Sequence, residues 1–432
     1  MKRKLTGLTL AVLLMGAALC GCTEVNEEAV PAANMMTDTP GDMSEFVEAA
    51  QAAQAAQRAE TETGVTETEP QPRERRVSFT ALGDNLIHSS IYEQANRRGN
   101  GENYDFAAAY AGVADLLDNA DITVLNQETL ICGDEYGLST YPCFNSPEDL
   151  GEYMAELGVD VFTIANNHTL DKGEDGLCDC LRYYDDHGYV RVGAYIDSED
   201  RADIRTVETE GGVVSFLCYT ESLNGLSLSG STPLQIGRTD DIDVIKDEIR
   251  AAREISDICV VSLHWGVEDS DSIQDWQYDY ARALGEAGAD VIIGNHPHVL
   301  RDVEIFENSD GRETICAYSL GNFISAQSKG KNLIGGILNF DVTLGYEGSE
   351  TPARVENTEF IPIVTHYDSN YSDVRLYKLS DYTPELARAH GVREYSEFSY
   401  EFIENFLSGH RMVPDKTEAA QDMDGADGEV YE

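Results

Sequence analysis

From Val77 onward, short apolar runs closed by Asp, Asn, Glu or His alternate with segments of helical spacing. Val77–Leu82 alternates and breaks at Gly83-Asp84. Phe106–Leu117 has helical spacing, and Ile122–Leu125 reads as a strand ending in Asn126-Gln127-Glu128. Ser146-Pro147-Glu148-Asp149 is a helix start, with Ser as N-cap, Pro first in the helix and acids in the first turn. Val159–Ile164 is the next strand and runs into Ala165-Asn166-Asn167-His168. A helix over about 175–187 stops at Gly188.

The same grammar continues. Val213–Tyr219 is a strand and Asp241–Ile255 a helix. Ile258–Leu263 ends in His264-Trp265-Gly266, and Val291–Ile293 in Gly294-Asn295-His296-Pro297-His298, with a helix over Trp276–Ala287 between them. Ile315–Leu320 ends in Gly321-Asn322-Phe323. Gly336–Leu344 and Val355–Val364 alternate as antiparallel strands, and Tyr395–Leu407 is a closing helix. Buried strands with helices between them predict an α/β fold, a layered sandwich of two mixed β-sheets flanked by helices, the later alternating strands forming the second sheet. Ligands in such folds bind beyond the carboxyl ends of the strands, where these polar residues fall.

Composition changes at both ends. Lys2, Arg3 and Lys4 precede the apolar run Leu8–Leu19, too short to span a bilayer, and Leu19-Cys20-Gly21-Cys22 reads as a lipoprotein processing box with Cys22 as the acylated thiol. The competing reading is an ordinary secretory signal with two incidental cysteines. Residues 23–76, rich in Ala, Gln, Thr, Glu and Pro, read as a disordered acidic tether, and 412–432 as a disordered acidic tail. One domain is expected over 77–411. Asp and Glu number 79 against 30 Lys and Arg, a net charge of −49, which excludes general nucleic-acid binding and argues against an anionic membrane surface. The expected localisation is the extracytoplasmic face of the cell membrane, through the lipid anchor. Cys132 and Cys143 flank a loop and are the one candidate disulfide; Cys218, Cys259 and Cys316 sit in apolar runs as core residues.

His264, His296 and His298 all stand at strand ends, accompanied by Asp84, Glu128 and Asn167. Imidazole nitrogens suit Zn, Mn, Fe, Co or Ni, and carboxylate or amide oxygens complete a harder site. A lone histidine is ordinarily structural, the reading given to His187, His366, His390 and His410; three at strand ends with acids beside them point to metal.

The order Gly83-Asp84, Asn126-x-Glu128, Asn166-Asn167-His168, His264-Trp265-Gly266 and Gly294-Asn295-His296-Pro297-His298 resembles the motif series of calcineurin-like metallophosphoesterases. Its spelling, with Ser319-Leu320-Gly321-Asn322-Phe323, is similar to the bacterial capsule-synthesis family CapA, associated with poly-γ-glutamate. The resemblance implies the calcineurin-like metallophosphatase fold and one or two divalent ions (Mn, Zn or Fe). It implies ligation by Asp84, Glu128, Asn167, His264, His296 and His298, with His168 as proton donor to a leaving oxygen or stabiliser of charge on it. Three departures stand out. Leu86 fills the first motif's usual histidine place, with His88 or Asn85 as substitutes; Glu128 replaces Asp; and Thr169 follows His168 where an acid is common, so that Asp171 takes that role. Asn85, His88, Asn126, Asn166, Trp265, Glu268 and Asn322 are placed against substrate or behind the ligands. Glu268 reads equally as an added ligand or base and as a solvated acid; Trp265 as a cleft wall or a core plug; Asn322 as a loop cap or a substrate contact. The implied function is a metal-dependent hydrolase, phosphoesterase-like or acting on γ-glutamyl amides, in capsule polymer synthesis or export. The alternative is a non-catalytic assembly factor that binds polymer. The expected partners are an envelope or capsule polymer and capsule-synthesis membrane proteins.

Overall fold

The computed structural model describes residues 73–412 apart from Glu347 and Glu350. The expected signal peptide with Cys22, all but the last residues of the expected tether, and the expected tail beyond Met412 lie outside the described residues.

In chain order the strands are β1 (Arg75–Asn85), β2 (Ile122–Gln127), β3 (Val161–Thr163), β4 (Val190–Val192), β5 (Ala194–Tyr195), β6 (Arg205–Glu208), β7 (Val213–Thr220), β8 (Gln235–Ile236), β9 (Ile258–His264), β10 (Val291–Asn295), β11 (Val303–Glu307), β12 (Glu313–Ala317), β13 (Asn322–Ile324), β14 (Ile334–Leu344), β15 (Arg354–Asp368) and β16 (Ser372–Lys378). The first sheet has eight strands in the order β16-β15-β14-β1-β2-β3-β4, with β13 beside β1. The second has six, β11-β12-β10-β9-β7-β6, and β5 pairs with β8 as a small ribbon. β1 to β4 run parallel, as do β7, β9, β10 and β12, while β14–β16, β6 and β11 add antiparallel neighbours. Two mixed sheets flanked by helices is the architecture expected.

Strand alternation joins the layers. Ile258 and Val260 of β9 enter the larger hydrophobic cluster with Val77, Phe79 and Ala81 of β1, linking the two sheets. Cys259, Val261 and Leu263 face a second cluster with Ile245, Ile249, Ala281 and Leu284 of helices Ile242–Arg253 and Asp275–Ala287. The first of these helices is capped as its sequence predicts, Asp241 accepting from the amides of Asp243 and Val244.

Several expectations are corrected. β14 and β15 do not make the second sheet: β14 pairs with β1 from Arg75 to Leu82, so both extend the first sheet, and the second is built from residues 205–317. Phe106–Leu117 is a short helix Ala107–Tyr110 and a 3-10 turn Ala114–Leu116. The helix after Pro147 begins at Asp149, and the Ser146 hydroxyl meets Thr129 Oγ1 at 2.8 Å rather than capping it. The closing helix is Tyr400–Ser408, capped by Ser399. β1 begins at Arg75, inside the expected tether. Cys132 and Cys143 are free: the buried Cys132 thiol donates to Asn145 Oδ1 at 3.1 Å, and Cys143 lies exposed. Glycine is required where β1 meets the turn before β13, since a Cβ on Gly83 would lie 2.0 Å from Gly321 O.

Candidate metal centre

Six predicted residues meet where the two sheets' strands end. Asp84 is next to last in β1, Glu128 follows β2 and Asn167 follows β3, so the first sheet supplies oxygen donors. His264 closes β9, and His296 and His298 follow β10, so the second sheet supplies the imidazoles. All are buried. His296 and His298 take positive φ, +98° and +59°, a left-handed backbone that non-glycine residues seldom adopt.

Two overlapping sets have the spacing of a metal site. Glu128, His264 and His296 form one, and Asp84, Glu128 and His298 the other, with donor atoms within 4.8 Å of one another in each. His264 Nε2 lies 3.0 Å from Asn167 Oδ1 and 3.0 Å from His296 Nδ1. Glu128 Oε1 stands 3.6 Å from His264 Nε2, 3.7 Å from His298 Nε2 and 3.9 Å from His168 Nε2. Neither Glu128 oxygen has a hydrogen-bond partner, although both are buried. Lone pairs thus converge with too few protons between them, and separations near 3–4 Å are those of ligands sharing one ion with bonds of about 2.0–2.2 Å. The residues fit a divalent cation.

Without an ion, protons are shared unevenly across the cluster. Burial lifts the Glu128 carboxyl well above the carboxylate range, against the pull of His298. Burial, then His296, drives His264 well below an ordinary imidazole, and His296 falls to about 3. Burial would lower His298 too, but Glu128 and Asp84 outweigh it and hold it at about 10.

Around the cluster stand its supports. His298 Nδ1 lies 3.0 Å from both Asp84 Oδ2 and Asn322 Oδ1. Asn322 Nδ2 donates to Ser325, Gln327 and the Asn332 carbonyl, so Asn322 orients His298. Asn126 Nδ2 donates to Asp84 Oδ1 at 2.7 Å. Asn166 pins the β3 turn, donating to Gln127 O and accepting from the His168 amide. His168 Nδ1 is 2.7 Å from Asp171 Oδ2, the Phe144 ring packs edge-on against it, and Asp171 also accepts from the Phe144 amide. Glu268, exposed on the loop after β9, accepts from Asn167 Nδ2 at 3.4 Å.

Three placements differ from expectation. Trp265 is no cleft wall: it is fully buried in the second cluster, its indole donating to Tyr318 O at 3.2 Å. Asn85 offers no substitute ligand, because its amide donates to Gln127 Oε1 and accepts from the Tyr110 hydroxyl, both at 2.7 Å. His88 stands outside both donor sets, its Nδ1 3.2 Å from the Ala326 amide and from Leu86 O, and burial lowers it to about 4. Sequence reasoning missed Phe144, Asn224, which accepts from Asn167 Nδ2 at 3.4 Å, and Arg301. Asn224 and Phe144 lie in loops with no periodicity to mark them.

The family described as "Bacterial capsule synthesis protein PGA_cap" matches residues 78–327. The chain is similar to the PGA biosynthesis protein CapA of Bacillus subtilis (strain 168), 34% identical over 176 residues, covering 40% of this chain and 44% of that protein. It is similar to the capsule biosynthesis protein CapA of Bacillus anthracis, 27% identical over 261 residues, covering 58% and 60%. The chain spans about half the length of these curated relatives. Among solved structures, the NAD nucleotidase of Haemophilus influenzae aligns over 78% of this chain and 60% of that chain, at 12% identity and a TM-score of 0.39.

Proposed function

The chain belongs to the bacterial capsule synthesis protein family PGA_cap, and on that premise we propose that it is a metal-dependent hydrolase serving the synthesis or export of a poly-γ-glutamate-type capsule polymer. The observation that carries this is the Glu128 carboxylate, buried without a hydrogen bond among three imidazoles. Asp84, Glu128, Asn167, His264, His296 and His298 would hold one or two divalent ions such as Mn, Zn or Fe. A bound divalent ion supplies Lewis acidity toward a phosphoryl or carbonyl oxygen.

The remaining work falls to this chain's own groups. Asp171 holds the His168 ring through Nδ1, leaving Nε2 on the cluster side to give a proton to the leaving oxygen or nitrogen. Asn322 and Asn126 hold His298 and Asp84 in register. Phosphoesters and γ-glutamyl amides both suit this chemistry.

One observation favours the second reading, a non-catalytic assembly factor that binds polymer. Leu86 stands in the usual histidine place and is buried, yet joins neither hydrophobic cluster. Under either reading the partners are the polymer and capsule-synthesis membrane proteins, and the chain is anchored outside the membrane through Cys22. No helix among the described residues is long and apolar enough to cross a membrane. Cys22→Ser should therefore move the protein to the soluble fraction; continued sedimentation with membranes would exclude this anchor.

The deciding experiment combines metal content with turnover of phosphodiesters and γ-glutamyl peptides. The expected result is bound divalent metal and turnover of one class. His168→Ala should keep its metal and lose about 10²–10⁴-fold in turnover, while Asn167→Ala loses both. Full metal without turnover of any substrate would pass the case to the assembly factor.

A further inference from the structure

Arg301 is fully buried three residues beyond His298. Its guanidinium donates to the carbonyls of Val267 (3.1 Å) and Ser270 (3.0 Å) and to Gln277 Oε1 (3.0 Å), and none of these bonds reaches a carboxylate. Burial lowers this cation to about 10, with Asp271 and Glu221 only partly offsetting the effect. Burying a cation for the sake of backbone carbonyls is costly unless the loop they belong to must be held.

That loop carries Glu268. A Cβ on Gly266 (φ +92°) would lie 2.6 Å from Arg301 Nη1, so the loop begins by making room for the guanidinium. On the far flank the Asp269 amide donates to Pro297 O at 2.9 Å, between the two cluster histidines. Glu268 is therefore pinned on both sides, and its Oε1 shares Asn167 Nδ2 with Asn224 Oδ1, each at 3.4 Å, Asn224 lying on a loop outside this clamp. An amide has one oxygen and one nitrogen end, so an acceptor on the nitrogen decides which way the oxygen faces. Here the oxygen faces His264 Nε2.

We propose that Glu268, held by Arg301, is a positioning residue that fixes the Asn167 amide with Oδ1 turned into the cluster. The inference rests on the metal reading above. It assigns Glu268 to orienting a ligand rather than to binding the ion or acting as the base.

The test is Mn²⁺ titration of the chelator-treated full chain, with free Mn²⁺ read by electron paramagnetic resonance. Glu268→Gln keeps a carbonyl acceptor for Asn167 and should bind within a few-fold of wild type. Glu268→Leu should lose about 10–100-fold in affinity, the usual effect of removing a partner behind a ligand. Arg301→Met should lose a similar factor and add little to Glu268→Leu in the double variant; should it fail to fold, the Glu268 pair still decides. Equal loss in Gln and Leu would mean the charge itself binds the ion, and no loss in either would mean Glu268 is idle; both overturn the proposal. A wild-type chain that takes up no Mn²⁺ would remove the metal reading, and the positioning role with it.

Discussion

Glu128 illustrates how one side chain can oppose folding and serve binding. A buried polar group without a partner costs about 1–3 kcal/mol, and both Glu128 oxygens are in that state. Glu128→Leu should therefore unfold later in urea with chelator present, by about 1–3 kcal/mol, and lose its advantage when Mn²⁺ is added. A variant less stable in chelator would show that the carboxyl already has a partner in the folded chain. The six clustered residues were legible because each directly follows an apolar strand. Side-chain direction was not. Asp84 and Asn85 are neighbours on one strand and so face opposite ways, one toward His298 and the other toward Tyr110 and Gln127. Nothing in the local pattern says which face meets the second sheet. Trp265 misled for the same reason: next to His264, it points into the opposite cluster.

At the scale of elements, β15 and the turn after helix Pro384–Ala389 are joined by a histidine pair outside the site. The His366 and His390 rings lie 4.7 Å apart. His390 donates from Nε2 to Thr365 O and accepts the Val392 amide at Nδ1, an arrangement only the neutral ring can make. Burial lowers His390 from 6.5 to about 3 and lowers His366 too, with Asp368 opposing the latter. The unfolded chain then binds more protons below about pH 6.5, so stability falls as pH drops from there toward about 3. The slope approaches about 1.4 kcal/mol per pH unit for each such imidazole. Urea midpoints should therefore decline between pH 7 and pH 4.5, and less steeply in His390→Asn, whose side chain can still accept from Val392. An unchanged slope would locate the acid sensitivity elsewhere. The strands here were legible but their sheet was not. Alternation in β14 and β15 announces one buried face, while their place beside β1 is set by long-range pairing that leaves no local mark.

Across the whole described domain, the division of donors between the sheets ties binding to folding. An ion at this centre stabilises the folded chain by an amount that grows with its concentration, about 4 kcal/mol at a thousand times Kd, so chelation should lower the thermal midpoint. The same division bears on how the metal is chosen. Of the six candidate ligands, the strand ends of the first sheet supply the oxygen donors and those of the second the imidazoles. Until the sheets close, neither half is a finished receptor, and the unfolded chain offers scattered ligands whose preferences follow the general affinity order of divalent ions. On the metal reading, closure would trap the ion at hand, and the surroundings in which the chain folds would then select its metal. Refolding from urea into buffers of differing Mn²⁺ to Zn²⁺ ratio should give protein whose bound metal tracks the refolding buffer and exchanges slowly afterwards. The same metal from every buffer would show instead that the closed site chooses for itself.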